Sequence, residues 1–222
     1  MHIPDGIIPP MQAIIYLIIS AAAVIYSLRG IQRTLGDRHI PLLGLLGAGL
    51  LAAQMFNFPI PGGTSGHLVG TALATALVGP YGAILVIATV LLIQATFGDG
   101  GILAYGANLL NMGIIAAFVS YFIIRYAQQM MKDMDPRRSR ALAVGLAGFI
   151  ATLTAAFMTS IELVLAGLEP ASLVFGWMLL LHAIIGIGEA VISWAIIQYV
   201  TMVRADLLYL PSFGAEEVRA SG

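Results

Sequence analysis

Residues 67–101, HLVGTALATALVGPYGAILVIATVLLIQATFGDGG, decide how often the chain crosses an apolar medium. They carry no charge from Leu68 to Phe97 and end in the turn formers Gly98-Asp99-Gly100-Gly101. Midway stand Gly79 and Pro80, a pair that breaks helices. Divided there, the stretch gives a short span, His67–Val78, and a full one, Tyr81–Phe97. The short span is about 12 residues, or about 18 Å of helix, against a bilayer core of about 30 Å. Undivided, Leu68–Phe97 is one long kinked span.

Outward from this stretch, the apolar runs Pro10–Leu28, Pro41–Phe56, Ile102–Ile124, Ala141–Ala166 and Leu173–Val203 are further candidate spans. Charge sidedness chooses between the two divisions, because Lys and Arg collect on the cytoplasmic side of a membrane. The ten basic residues are Arg29, Arg33, Arg38, Arg125, Lys132, Arg137, Arg138, Arg140, Arg204 and Arg219. With a break at Gly79-Pro80 there are seven spans, and with the N-terminus outside all ten fall on the cytoplasmic side. Without the break, Arg125–Arg140 would lie opposite Arg29–Arg38. The expected fold is therefore an all-α integral membrane protein of seven transmembrane helices, a single domain over residues 1–222. Its N-terminus is outside and its C-terminus cytoplasmic. The short third span is expected to pack among its neighbours rather than face lipid. No basic residue precedes the first apolar run, so that run reads as an uncleaved span and not as a signal peptide.

Composition agrees. The chain is 59% hydrophobic and 9% charged, with a mean hydropathy of +0.95. Soluble domains carry about 25% charged residues. A formal net charge of −1 leaves no basic stripe for nucleic acid. The absence of cysteine excludes disulfides, zinc–thiolate sites and thiol catalysis. The one lysine, Lys132 in MKDMD, lacks the glycines of a phosphate-binding loop, so the chain carries no ATPase motif, and no HExxH helix is present. A transport subunit is expected, not an enzyme.

The opening residues, MHIPDG, suggest what is carried. The Met1 amine and the His2 backbone nitrogen close a five-membered chelate ring on a cation. The near ring nitrogen of His2 closes a six-membered ring on the same cation. Three nitrogens then lie in one plane, and a fourth must come from elsewhere. His67 is the one other histidine expected outside, since His39 falls in a basic cytoplasmic loop and His182 inside the last span. Four in-plane nitrogens suit nickel(II) or copper(II), whereas zinc prefers a tetrahedron. Intrinsic affinity favours copper, so selection of nickel would rest on availability. Pro4 stiffens the arm, and a position near a helix start would keep His67 neutral. Asp5 reads either as a group that offsets the ion's charge or orients His2, or as part of an ordinary Asp5-Gly6 turn.

Other polar residues have several readings. His182 and Glu189, seven apart, share a helix face, as a polar clamp or a transit relay. Glu162 is expected near the membrane interface. Gln54, Gln94, Asn108 and Asn111 read as interhelical hydrogen bonders, and Gly44, Ala48 and Ala52 form a small-residue stripe for close helix approach.

The stretches MHIPDGIIPP, PGGTSGHLVGTALATALVGPYGA, FGDGGILAYGANLLNMG and HAIIGIGEA together resemble the substrate-binding S-component of energy-coupling-factor cobalt/nickel transporters, the CbiM/NikM family. The resemblance implies an N-terminal segment inserted into the core. It implies Ni(II) or Co(II), the transported substrate, held by the Met1 amine, the His2 backbone and imidazole nitrogens, and His67. No organic cofactor is expected. The implied partners are a transmembrane coupling subunit, met by the helix carrying Gly44, Ala48 and Ala52, and ABC-type ATPase subunits, with a small accessory membrane subunit. The implied location is the plasma membrane of a prokaryote. The rival expectation is a secondary transporter or channel with Asp99, Glu162, His182 and Glu189 along an ion path.

Overall fold

The computed structural model describes residues 1–34, 40–61, 64–168 and 170–209, without the side chains of 32–34. Arg38, His39, Glu169, Arg219 and the tail from residue 210 lie outside the described residues, as does the side chain of Arg33.

The chain is a helical bundle with one minor departure from an all-α design. Its elements are α1 (Pro10–Thr34), α2 (Ile40–Gln54), strands β1 (Phe58–Ile60) and β2 (Thr64–Gly66), α3 (Thr71–Thr96), α4 (Tyr105–Leu109), a π-helical segment (Leu110–Ile115), α5 (Ala116–Met130), α6 (Pro136–Leu165) and α7 (Ala171–Val203). The strands pair antiparallel, Phe58 opposite Gly66 and Ile60 opposite Thr64. Among the described residues, five helical stretches are long and apolar enough to cross a membrane: Pro10–Ile31, Thr71–Thr96, Tyr105–Met130, Pro136–Leu165 and Ala171–Val203. Helix α2 is shorter. Large apolar side chains on α1 (Ile14, Ile18) and α7 (Leu180, Ile184, Ile187, Val191) point outward, as lipid-facing surfaces require.

Helix α3 answers the question posed by residues 67–101. Gly79, at φ 73° and ψ 172°, leaves the helical region for one that glycine alone adopts readily. The Thr71 hydroxyl donates to the Met112 carbonyl at 2.6 Å, and Ile87 packs 3.5 Å from the position a Cβ on Gly113 would take. Thr71 and Ile87 therefore touch adjacent residues of one helix, although a straight helix would hold them about 24 Å apart. The chain turns back at Gly79-Pro80, and residues 71–78 and 80–96 run side by side. The length of α3 as a whole thus does not measure one crossing. Its start differs from expectation too: residues 67–70 are not helical, because the Glu189 carboxylate binds the Val69 and Gly70 N–H groups and delays the helix to Thr71.

At the Gly79 end, Tyr81 packs edge-on against Tyr26 and Phe118, and the Tyr209 N–H donates to the Ala76 carbonyl at 2.9 Å. The other end holds the β hairpin, the 97–101 loop and the N-terminus. That loop is fastened by Asn57 Nδ2, which donates to Asp99 Oδ2 at 2.9 Å.

Candidate metal site

Residues 1–5 have no regular secondary structure, yet Met1 and Ile3 are 0% exposed and His2 is 3% exposed. A buried extended arm must find partners for its backbone. Asn108 supplies two: the Ile3 N–H donates to its Oδ1 at 2.8 Å, and its Nδ2 donates to the Ile3 carbonyl at 3.1 Å. The Gly101 N–H donates to the same carbonyl at 3.0 Å. The Asp5 carboxylate accepts from the N–H groups of Ile102, Leu103 and Ala104, in the turn that leads into α4. A side chain at Gly101 would run into Asp5. Asp5 therefore latches the arm to α4 and does not sit beside His2, which corrects its expected place.

The carboxylate that does meet His2 is Asp99, whose Oδ1 lies 3.1 Å from His2 Nδ1. Ser65 Oγ is 3.4 Å from the same nitrogen and accepts from the His2 N–H at 3.3 Å. The His2 and His67 rings stack, with centroids 4.3 Å apart and planes 23° from parallel. His67 is 1% exposed, and its Nδ1 donates to the Leu68 carbonyl at 2.7 Å. That bond fixes the tautomer in which Nε2 carries a bare lone pair. Among the described residues, His67 Nε2 is buried without a hydrogen-bond partner, and the Gln94 side chain reaches the His2 ring.

Burial pushes the Met1 amine down to about 4, against the partial restoring pull of Asp99. Burial also lowers His2, although the Asp99 hydrogen bond resists, and lowers His67 well below its usual value with the Met1 amine adding to the effect. At neutral pH these nitrogens are uncharged Lewis bases. His67 is neutral because it is buried next to the amine, and not because of a helix start, which lies at Thr71. For Asp99, partial burial alone would raise the carboxyl, but its hydrogen bond and charge interaction with His2 bring it below the ordinary range. Among the described residues no three His, Asp or Glu side chains converge as a ready metal cluster. A cation at this point needs main-chain or terminal nitrogen as well.

A family described as the cobalt uptake substrate-specific transmembrane region, CbiM, matches residues 2–207. The chain belongs to the CbiM family. A putative fused nickel transport protein, NikMN, of Archaeoglobus fulgidus is 40% identical over 94% of this chain and 68% of its own length. A putative metal transport protein of Haloquadratum walsbyi is 36% identical over 94% of each chain. The crystal structure of a truncated transition metal transporter superposes with a TM-score of 0.83 at 29% identity, covering 91% of this chain and 99% of that one. The chain is thus a multi-pass membrane protein of a nickel/cobalt transport family.

The remaining predicted residues of this CbiM chain divide clearly. Glu189 accepts from Val69 and Gly70 at 2.8 and 2.6 Å, so it anchors the segment behind His67 and is not paired with His182. Both do lie on the buried face of α7. Glu162 lies about one turn from the end of α6, as expected, but is enclosed by protein, 2% exposed, and Asn111 Nδ2 donates to its Oε2 at 2.7 Å. Gln54 donates to the Val69 carbonyl at 2.7 Å, whereas the Gln94 side chain reaches the His2 ring. Gly44, Ala48 and Ala52 are exposed, and the first two line an open apolar groove of about 460 Å³ between α2 and residues 85–93. Ser65 and the site role of Asn108 were not visible in the sequence; only their closeness in the chain to His67 and to the 98–101 loop hinted at them.

Proposed function

We propose that this chain is the substrate-specific component of an ATP-driven, energy-coupling-factor type importer, and that it captures Ni(II) or Co(II) with the Met1 amine, the His2 backbone and imidazole nitrogens, and His67. The observation that carries the reading is the burial of an uncharged Met1 amine with the stacked His2 and His67 imidazoles, His67 presenting a buried Nε2 lone pair that no described residue binds. A terminal amine is costly to bury unless it has a use that needs its lone pair. The His2 N–H, held by Ser65, gives up its proton when the amide binds the ion. The His2 ring proton moves from Nδ1 to Nε2, so that Nδ1 completes the chelate while Asp99 stays alongside. The amide anion and the Asp99 carboxylate then offset the two charges of the ion.

The membrane orientation belongs to the same proposal. The N-terminus and His67 face outside, the basic residues face the cytoplasm, and the reversal at Gly79 makes seven segments, of which 71–78 is enclosed by neighbours. Release inward is driven by a transmembrane coupling subunit and ABC-type ATPases, with a small accessory subunit, in a prokaryotic plasma membrane. The α2 face with Gly44, Ala48 and Ala52 is the contact for the coupling subunit. An acidic ion path fits less well, since Glu189 and Glu162 are each spent on neighbouring donors.

Titrating the purified chain with nickel(II) tests the ligand set. One ion per chain and the d–d absorption of a planar four-nitrogen centre are expected. The spectrum of a six-coordinate, oxygen-rich ion would refute it.

A further inference from the structure

His182 has no part in the ligand set just proposed, yet it is arranged like a metal ligand. It is 0% exposed on α7, and its Nδ1 donates to the Met178 carbonyl at 2.8 Å. That is the same device that holds His67 on the Leu68 carbonyl. A ring nitrogen tied to a backbone carbonyl leaves the other nitrogen as a fixed lone pair, the usual support of a metal-bound histidine. Among the described residues, His182 Nε2 is buried and has no hydrogen-bond partner, like His67 Nε2.

The position of His182 is equally specific. Residues 64–70 run alongside α7 and are fastened to it at both ends. Thr64 Oγ1 contacts Met178 Sδ at 3.1 Å, and the Val69 and Gly70 N–H groups bind Glu189. Between these ties, a Cβ on Gly66 would meet Ile185 at 3.0 Å. A Cβ on Gly188 would meet Leu68 at 4.0 Å, so His67 is held against the buried face of α7 that carries Met178, His182 and Glu189. Because no three such side chains converge among the described residues, His182 is not a simultaneous third ligand in this conformation.

We propose that His67 and His182 form a second station for the ion, which moves there when the N-terminal arm lets go. This rests on the N-terminal capture reading above. His67 stays bound, His182 Nε2 replaces the amine and the His2 nitrogens, and the His2 amide recovers a proton from water. Nitrogen replaces nitrogen, and no electron is transferred. Two imidazoles hold a divalent ion more weakly than a chelating amine–amide–imidazole set, so the second station favours onward release.

The test uses the full chain with one residue added ahead of Met1 and with His2→Ala, probed with copper(II) alone. Pulsed electron paramagnetic resonance counts the imidazoles on the ion. Two are expected, falling to one in either His67→Ala or His182→Gln, with affinity reduced about tenfold or more by each. A single imidazole, or a signal indifferent to His182→Gln, overturns the second station. The count made with His182 intact does not depend on how the Gln variant folds. Tight nickel binding that survives the added residue alone would instead defeat the N-terminal reading, whatever the imidazole count.

Discussion

The N-terminal arm and helix α2 are opposites. Residues 1–3 have no regular structure and are completely enclosed, and the polar ties of their backbone run to Asn108, Gly101 and Ser65. Helix α2 is regular and apolar, but its small-residue face at Gly44 and Ala48 opens onto a groove with nothing packed within 4 Å of a Cβ on Gly44. Regularity and burial are separate properties: one segment is ordered by its own repeat, the other by what receives it. A buried irregular arm needs many side-chain partners and is therefore specific. An exposed regular face needs none and is free to meet another helix.

The sharpest way to break this contrast is at His67. His67→Ala removes the imidazole that meets the arm and leaves three nitrogens. Nickel affinity should fall about 100-fold while one ion per chain is retained, measured by calorimetric titration. Unchanged affinity would mean that the stacked ring is only packing.

Asn108→Ala attacks the arm from its receiver. It leaves the Ile3 N–H without its side-chain acceptor in a buried site, a loss of about 1–3 kcal/mol from arm docking. Nickel affinity should drop about tenfold or more, and protease cleavage near the N-terminus should appear. An arm that stays protected would show that Asn108 is dispensable.

Much of this was legible beforehand, for identifiable reasons. Gly79-Pro80 announced a break because proline removes a donor and glycine tolerates positive φ, and the chain does reverse there. Met1 and His2 stood out because terminal amine, adjacent amide and imidazole close chelate rings by covalent geometry alone, and His67 by elimination among the histidines; the structure stacks the two rings 4.3 Å apart. Asp5 misled because its closeness to His2 in sequence says nothing about direction; the free N–H groups of 102–104 claimed it. Glu189 was legible as a polar clamp on the face it shares with His182, but periodicity did not say that the Val69 and Gly70 N–H groups are what it holds. Asp99 could not be assigned to His2, since that contact depends on how the 97–101 loop folds over the arm.

Acid offers a milder test. The Met1 amine has an ordinary value of 8.0 and a buried value of about 4, so the inserted arm carries fewer protons than a free one across that window. Insertion, and metal capture with it, is therefore favoured as pH rises from about 4 toward 8 and weakens as pH falls through the same range. Nickel affinity should decline about tenfold or more per pH unit below neutrality. A flat profile would show that no proton leaves the arm on capture.

The smallest effect belongs to α2. Gly44→Leu fills an open groove and touches none of the arm's ties, so nickel affinity of the isolated chain should stay within about twofold, as surface changes usually do. A large loss would mean that the two regions are not independent.

Blocking the amine is the most direct measurement. With one residue added ahead of Met1, the former terminal nitrogen becomes an amide and the arm must accommodate extra chain. Nickel bound per purified chain, counted by equilibrium dialysis, should fall from one to near zero at concentrations that saturate the native protein. If the extended chain still binds one tight nickel ion, the buried terminus is not a ligand.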